Sequence, residues 1–250
     1  MPLSTEDMIA AIEAHSAGLA DAARDNLGAQ VRHCPDWTVA DLVHHVTDVH
    51  WFWTRIATER PSGPPDTPDR PERVPDDRLV DTFLAGAERL ASVLRDADQS
   101  ASCWTWAPHQ QDVAFITRHQ VQEAAIHHWD AVDAADEALM IEPAVAADSV
   151  AEFLTFSMSS DADPAEPELP SLGGSFVLHA TDTDDSWTVS DGTAPGTTRF
   201  STDPDEAATA PKVSATATEL LLWLYGRLDL DTAPVPADVV ARLRALCFTD

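Results

Sequence analysis

Apolar residues return at helical spacing in four long stretches of the first half of the chain, then give way to short alternating runs. Over residues 5–27 they fall at Met8, Ile9, Ile12, Leu19, Ala22 and Ala23, with Ser4 or Thr5 placed to cap and acidic residues in the first turn, which predicts an amphipathic helix. A second helix is predicted over 39–56. At about 100° per residue its Leu42, Val43, Val46, Val49, Trp53 and Ile56 gather on one half of the wheel. The preceding Thr38-x-x-Asp41 is close to a capping box. Leu79, Val80, Phe83, Leu84, Ala87, Leu90, Val93 and Leu94 predict a third helix over 77–97, and a fourth follows over 112–134. Four helices of similar length with connections between them imply a bundle, whose sites are built from inward residues of facing helices. Residues 60–75, rich in Pro, Asp and Arg, read as an exposed excursion.

Beyond Ala135 the texture changes. Residues 145–156 predict one more helix and 158–174 a polar connector. Residues 176–180, 187–189 and 197–200 cluster or alternate apolar side chains as strands do. The apolar run 216–227 and the amphipathic 236–246 predict two further helices. The expected fold class is therefore α+β: a helical domain over 1–138 and a smaller α+β domain over 139–250.

Charge and cysteines narrow the function. Lys plus Arg number 15 against 43 Asp plus Glu, for a net charge of −28, so a polymer of phosphates would be repelled and nucleic acid is a poor partner. Lys212 is the single lysine. Cys34, Cys103 and Cys247 show no C-x-x-C spacing and no basic neighbourhood, and the first residues hold neither a basic start nor a long apolar run. A reduced, cytoplasmic setting with no membrane segment is the expectation.

The candidate chemistry lies on the fourth helix. Glu123 and His127, four residues apart, stack on one face and offer half of a metal site. His119 extends the stripe, but eight residues rise about 12 Å along a helix. An ion held at about 2.0–2.2 Å from each ligand cannot reach both histidines. The missing ligand must come from another segment. On the second helix His50 falls inside the apolar half and His45 near its edge, while His44 points away. Both inward histidines are candidates. Trp104 and Trp106, on a loop, suit either the core or a pocket wall. Asp130 reads as an acceptor for a neighbouring helix. Arg227 suits a charge at a helix C-terminus or a planar fork for a substrate carboxylate.

Cys34-Pro35-Asp36-Trp37-Thr38-Val39-Ala40-Asp41-Leu42-Val43-His44-His45, the Trp104-Thr105-Trp106 loop, Glu123-x-x-x-His127-His128-Trp129-Asp130 and the run 220–227 occur in that order. In sequence and spacing they resemble the maleylpyruvate isomerase family of mycothiol-dependent enzymes, over essentially the whole chain. The resemblance implies a DinB-like four-helix N-terminal domain and a C-terminal domain similar to sterol-carrier folds. It also implies a divalent metal, usually zinc, on His45, Glu123 and His127, with mycothiol or a related low-molecular-weight thiol as cofactor. This chain departs from the family at Gln122, where a histidine is common, and at His119, where a second arginine often follows the position of Arg118.

Three protein ligands leave an open position, as in catalytic zinc sites. A thiol there would become a thiolate at neutral pH. It could add to an electron-poor double bond and leave again, which is isomerisation, or stay attached, which is S-transfer. The expected substrate is a small, anionic electrophile oriented by Arg227, with Trp104 and Trp106 beside the thiol. The alternative is a metal-binding sensor or partner-binding protein without catalysis.

Overall fold

The computed structural model describes residues 3–158, 170–194 and 196–247 and divides into two compact units, Leu3–Ile141 and Glu142–Asp250. Residues 159–169 of the expected connector lie outside the described residues. Among the described residues no helix is long and apolar enough to cross a membrane.

The first unit holds four helices, α1 (Thr5–Ala23), α2 (Val39–Glu59), α3 (Asp76–Asp96) and α4 (Val113–Asp133). The apolar stripes meet inside: α1 packs on α3 and α4, and α2 on α3 and α4. Ile9, Ile12, Leu19, Leu42, Ile56, Leu79, Phe83, Leu90, Leu94 and Phe115 are all withdrawn from solvent. Each such side chain contributes roughly 1.5–3 kcal/mol of burial. Helix α1 stops four residues before the expected end because the next turn serves α2. The carbonyls of Leu27 and Ala29 accept the N–H groups of Ala40 and Val39, each at 2.9 Å, which satisfies donors that a helix start leaves unpaired. The 60–75 excursion is mostly exposed but tied back to α2. Arg70 donates to the buried Asp48 at 2.6 and 3.0 Å, Asp69 accepts from Arg55 at 2.6 Å, and Arg73 reaches Asp41.

The second unit holds α5 (Pro143–Phe156), β1 (Ser175–Ala180), β2 (Ser186–Asp191), β3 (Thr198–Ser201), α6 (Pro204–Ala207), β4 (Lys212–Ala215), α7 (Ala217–Leu224) and α8 (Ala237–Leu246). The sheet order is β3-β2-β1-β4, with β1 and β4 parallel and the other pairs antiparallel. Phe176, Leu178, Trp187, Val189 and Val213 are buried. Helix α7 packs on β1 and β4 and α5 on β3, while the short α6 lies against β2. β4 and α6 are absent from the sequence expectation. β4 has one large apolar side chain, Val213, and only a non-local parallel pairing makes it a strand. Helix α7 ends at Leu224 instead of reaching 227. Gly226, at φ +70°, takes the left-handed conformation that closes a helix, and the N–H of Arg227 returns to the carbonyl of Leu222 at 2.8 Å.

Candidate metal centre

The start of α2 sets the position of His45. The N–H of Asp41 donates to Thr38 Oγ1 at 3.3 Å and the N–H of Thr38 to Asp41 Oδ2 at 2.9 Å, a complete capping box. Hydrogen bonds from Thr38, and then from Arg73, hold the Asp41 carboxyl down at about 2. From this fixed start α2 brings His45 to α4. His45 Nε2 lies 3.2 Å from Glu123 Oε1, and His127 Nε2 lies 3.4 Å from the same oxygen. One donor atom from each of the three residues falls within 4.8 Å of the others. Ligands at about 2.0–2.1 Å in a tetrahedral arrangement stand roughly 3.3 Å apart, so this spacing suits one small divalent ion.

Two contacts orient the rings. The ring of Trp37 lies 4.8 Å, centroid to centroid, from that of His45. Behind His127, Asp130 Oδ2 stands 3.2 Å from Nδ1, and its side chain is fully buried. With Nδ1 donating to Asp130, Nε2 is the nitrogen that faces Glu123 and that becomes free for an ion once its proton is lost. Asp130 thus accepts from its own helix, one turn back. The three-residue interval between His127 and Asp130 allows this contact.

Charge inside the group is balanced in the absence of an ion. Burial by itself would raise the Glu123 carboxyl, but the neighbouring His127, with hydrogen bonds from both histidines, holds it well below the usual carboxylate range. Burial would lower His127. Glu123 and Asp130 reverse that and hold it up at about 9. Removing the proton from His127 exposes a nitrogen ligand beside an anionic oxygen ligand, the donor set that zinc takes.

His50 is not part of the converging group. It is fully buried and stacks on Phe83 at 5.4 Å, and among the described residues neither ring nitrogen has a hydrogen-bond partner. Burial presses its pKa down to about 4. His119 meets Gln122 Nε2 at 3.1 Å through Nδ1. The partly exposed Trp106 packs edge-on against His119 and Phe115, each at 5.2 Å, and Trp104 packs edge-on against Phe52 at 6.3 Å. A cleft of about 580 Å³ beside α2 has His45, Trp37, His44, Asp48 and Arg70 in its walls.

Arg227 lies in the second unit, just past the end of α7. It is buried, donates from Nη1 to the carbonyl of Tyr225 at 3.0 Å and lies 5.7 Å over the Tyr225 ring. That place answers the negative end of the helix.

Two family models match the chain. One, described as the mycothiol maleylpyruvate isomerase N-terminal domain, covers residues 8–132, and the other, described as the MDMPI C-terminal domain, covers 144–245. Among solved structures, the chain is similar to a crystal structure of the mycothiol-dependent maleylpyruvate isomerase at a TM-score of 0.60 and 14% identity, covering 94% of this chain and 95% of that one. A histidine-to-alanine variant of that enzyme gives a TM-score of 0.59 at 13% identity, with the same coverage. The four N-terminal helices and the small domain with a mixed sheet match that fold. No curated protein matches the sequence.

Proposed function

The chain belongs to the mycothiol maleylpyruvate isomerase family, and from that premise and its site we propose that it is a metal- and thiol-dependent isomerase or S-transferase acting on a small, anionic electrophile. The observation that carries the reading is the convergence of His45, Glu123 and His127 from two helices on one ion-sized space. Three protein ligands suit a catalytic ion better than a structural one, because a structural site closes all four positions with protein. A divalent ion there, zinc by donor type, supplies a strong lowering of the pKa of a thiol brought to it. Mycothiol or a related small thiol is the cofactor.

The chain's own residues supply the rest. Asp130 fixes the tautomer of His127, and Glu123 adds the negative charge that a divalent cation needs. Arg227 orients a substrate carboxylate through its planar fork, and Trp104 with Trp106 forms an apolar wall for the thiol. In the reaction a C–S bond forms at the electron-poor double bond and the π electrons move to the activating carbonyl. Rotation about the resulting single bond and expulsion of the thiolate completes isomerisation, while protonation with the C–S bond kept completes S-transfer. The test is metal content by mass spectrometry, followed by thiol consumption and double-bond geometry with a panel of electrophiles. A metal-loaded protein inert toward every thiol and electrophile would point to a sensor or partner-binding protein instead.

A further inference from the structure

A second pair of histidines lies between α1 and α4, outside the group described above. His128 is the neighbour of His127, but a step of about 100° round the helix turns it toward α1. There its Nδ1 lies 3.0 Å from Nδ1 of His15, with the rings edge-on at 62° and their centroids 5.3 Å apart. Gly18, one turn along α1, makes the arrangement possible. A Cβ at that position would stand 2.2 Å from Cε1 and 2.3 Å from Nε2 of His128, so any other residue would displace the ring. On the side of His128, though not of His15, opens a cleft of about 570 Å³ whose walls include His128, Asp21, Asp25 and Glu137. The three carboxylates give it a negative field, and the charge of Asp21 already acts on His128.

With no ion present, the contact is an N–H···N hydrogen bond between two imidazoles. The same 3.0 Å is also the span of two nitrogen ligands that share one ion. At a metal–nitrogen distance of about 2.0–2.1 Å it corresponds to an angle near ~95°. We propose that His15 and His128 form a second metal site, separate from His45, Glu123 and His127, which takes a divalent transition ion from the acidic cleft. Imidazole nitrogens select zinc, copper(II) or nickel(II), whereas calcium and magnesium require oxygen ligands. Water completes the coordination, because among the described residues no third histidine, cysteine or carboxylate ligand atom lies within 4.8 Å of both nitrogens. No net proton is released, because the ring that donates from Nδ1 in the metal-free pair carries that hydrogen on Nε2 once Nδ1 binds the ion.

The site is tested by counting ions. Cobalt(II), read by its visible absorption, and zinc, read by competition with a chromophoric chelator, are titrated into the full chain. The unaltered protein is expected to bind two equivalents. His15→Leu and His128→Leu are each expected to bind one, and His45→Ala to lose the other equivalent while keeping this one. A single equivalent in the unaltered protein that His45→Ala abolishes, or a second one that survives both histidine-to-leucine changes, overturns the site. A single equivalent kept in His45→Ala and lost in His15→Leu supports it and counts against the other site instead. Should either variant unfold by circular dichroism, the unaltered protein decides by anomalous scattering from a zinc-soaked crystal. A zinc peak bonded to both Nδ1 atoms supports the site, and no peak between them overturns it. None of these readings depends on a reaction with a thiol.

Discussion

Asp130 holds His127 from behind: its Oδ2 is 3.2 Å from the ring's Nδ1, three residues along the same helix and sealed from solvent. A carboxylate on the far nitrogen fixes which nitrogen is free for an ion and raises its basicity. Asp130→Asn is expected to lower metal affinity by roughly 10–100-fold. Competition with a chelator of known affinity reads it, and unchanged affinity would reduce Asp130 to a structural role.

Removing a ligand has a larger effect. In His127→Ala two protein ligands remain, so bound metal and thiol-dependent turnover should fall together. Metal analysis after dialysis and a turnover assay check this on the same sample. Full turnover in a metal-free His127→Ala protein would remove the metal from the mechanism.

Arg227→Ala should separate binding from metal content. The metal stays, while kcat/KM for a carboxylate substrate falls by roughly tenfold to a hundredfold, the loss of one charged hydrogen-bonding partner. A neutral analogue of the same electrophile should lose far less. An equal loss for both would assign Arg227 to folding alone, through its bond to the Tyr225 carbonyl.

His50 makes stability depend on pH. Buried without a partner for its ring nitrogens among the described residues, it is held at about 4, below the ordinary 6.5. Between these values the unfolded chain takes up a proton that the folded chain refuses, so stability rises as pH rises from 4 to 6.5 and is level above. A shift of this size corresponds to about 3 kcal/mol. His50→Phe keeps the stacking on Phe83 and removes the titration. Denaturant unfolding of both proteins at pH 7 and at pH 5 should show the unaltered chain losing more stability on acidification. Equal losses would show that His50 contributes nothing to acid sensitivity.

Much of this protein is legible in its sequence because the information is local. Apolar residues at helical spacing place α1 to α4, the Thr38–Asp41 interval announces the start of α2, and Glu123 with His127 must share a face because the helix repeats near four residues. Asp130, expected to serve a neighbouring helix, meets His127 on its own helix, a contact that the three-residue interval allows without announcing. Tertiary structure decided what depends on distant partners. A helical wheel places both His45 and His50 inward, and only the packing of α2 against α4 brings His45 to Glu123 and leaves His50 stacked on Phe83. β4 becomes a strand because β1 lies beside it, and α7 stops where Gly226 turns. His15 and His128, 113 positions apart, meet only because two helices close over Gly18. Periodicity states which way a side chain points along its own element. What it meets there is set by packing free energy summed over the whole core, which no local stretch contains.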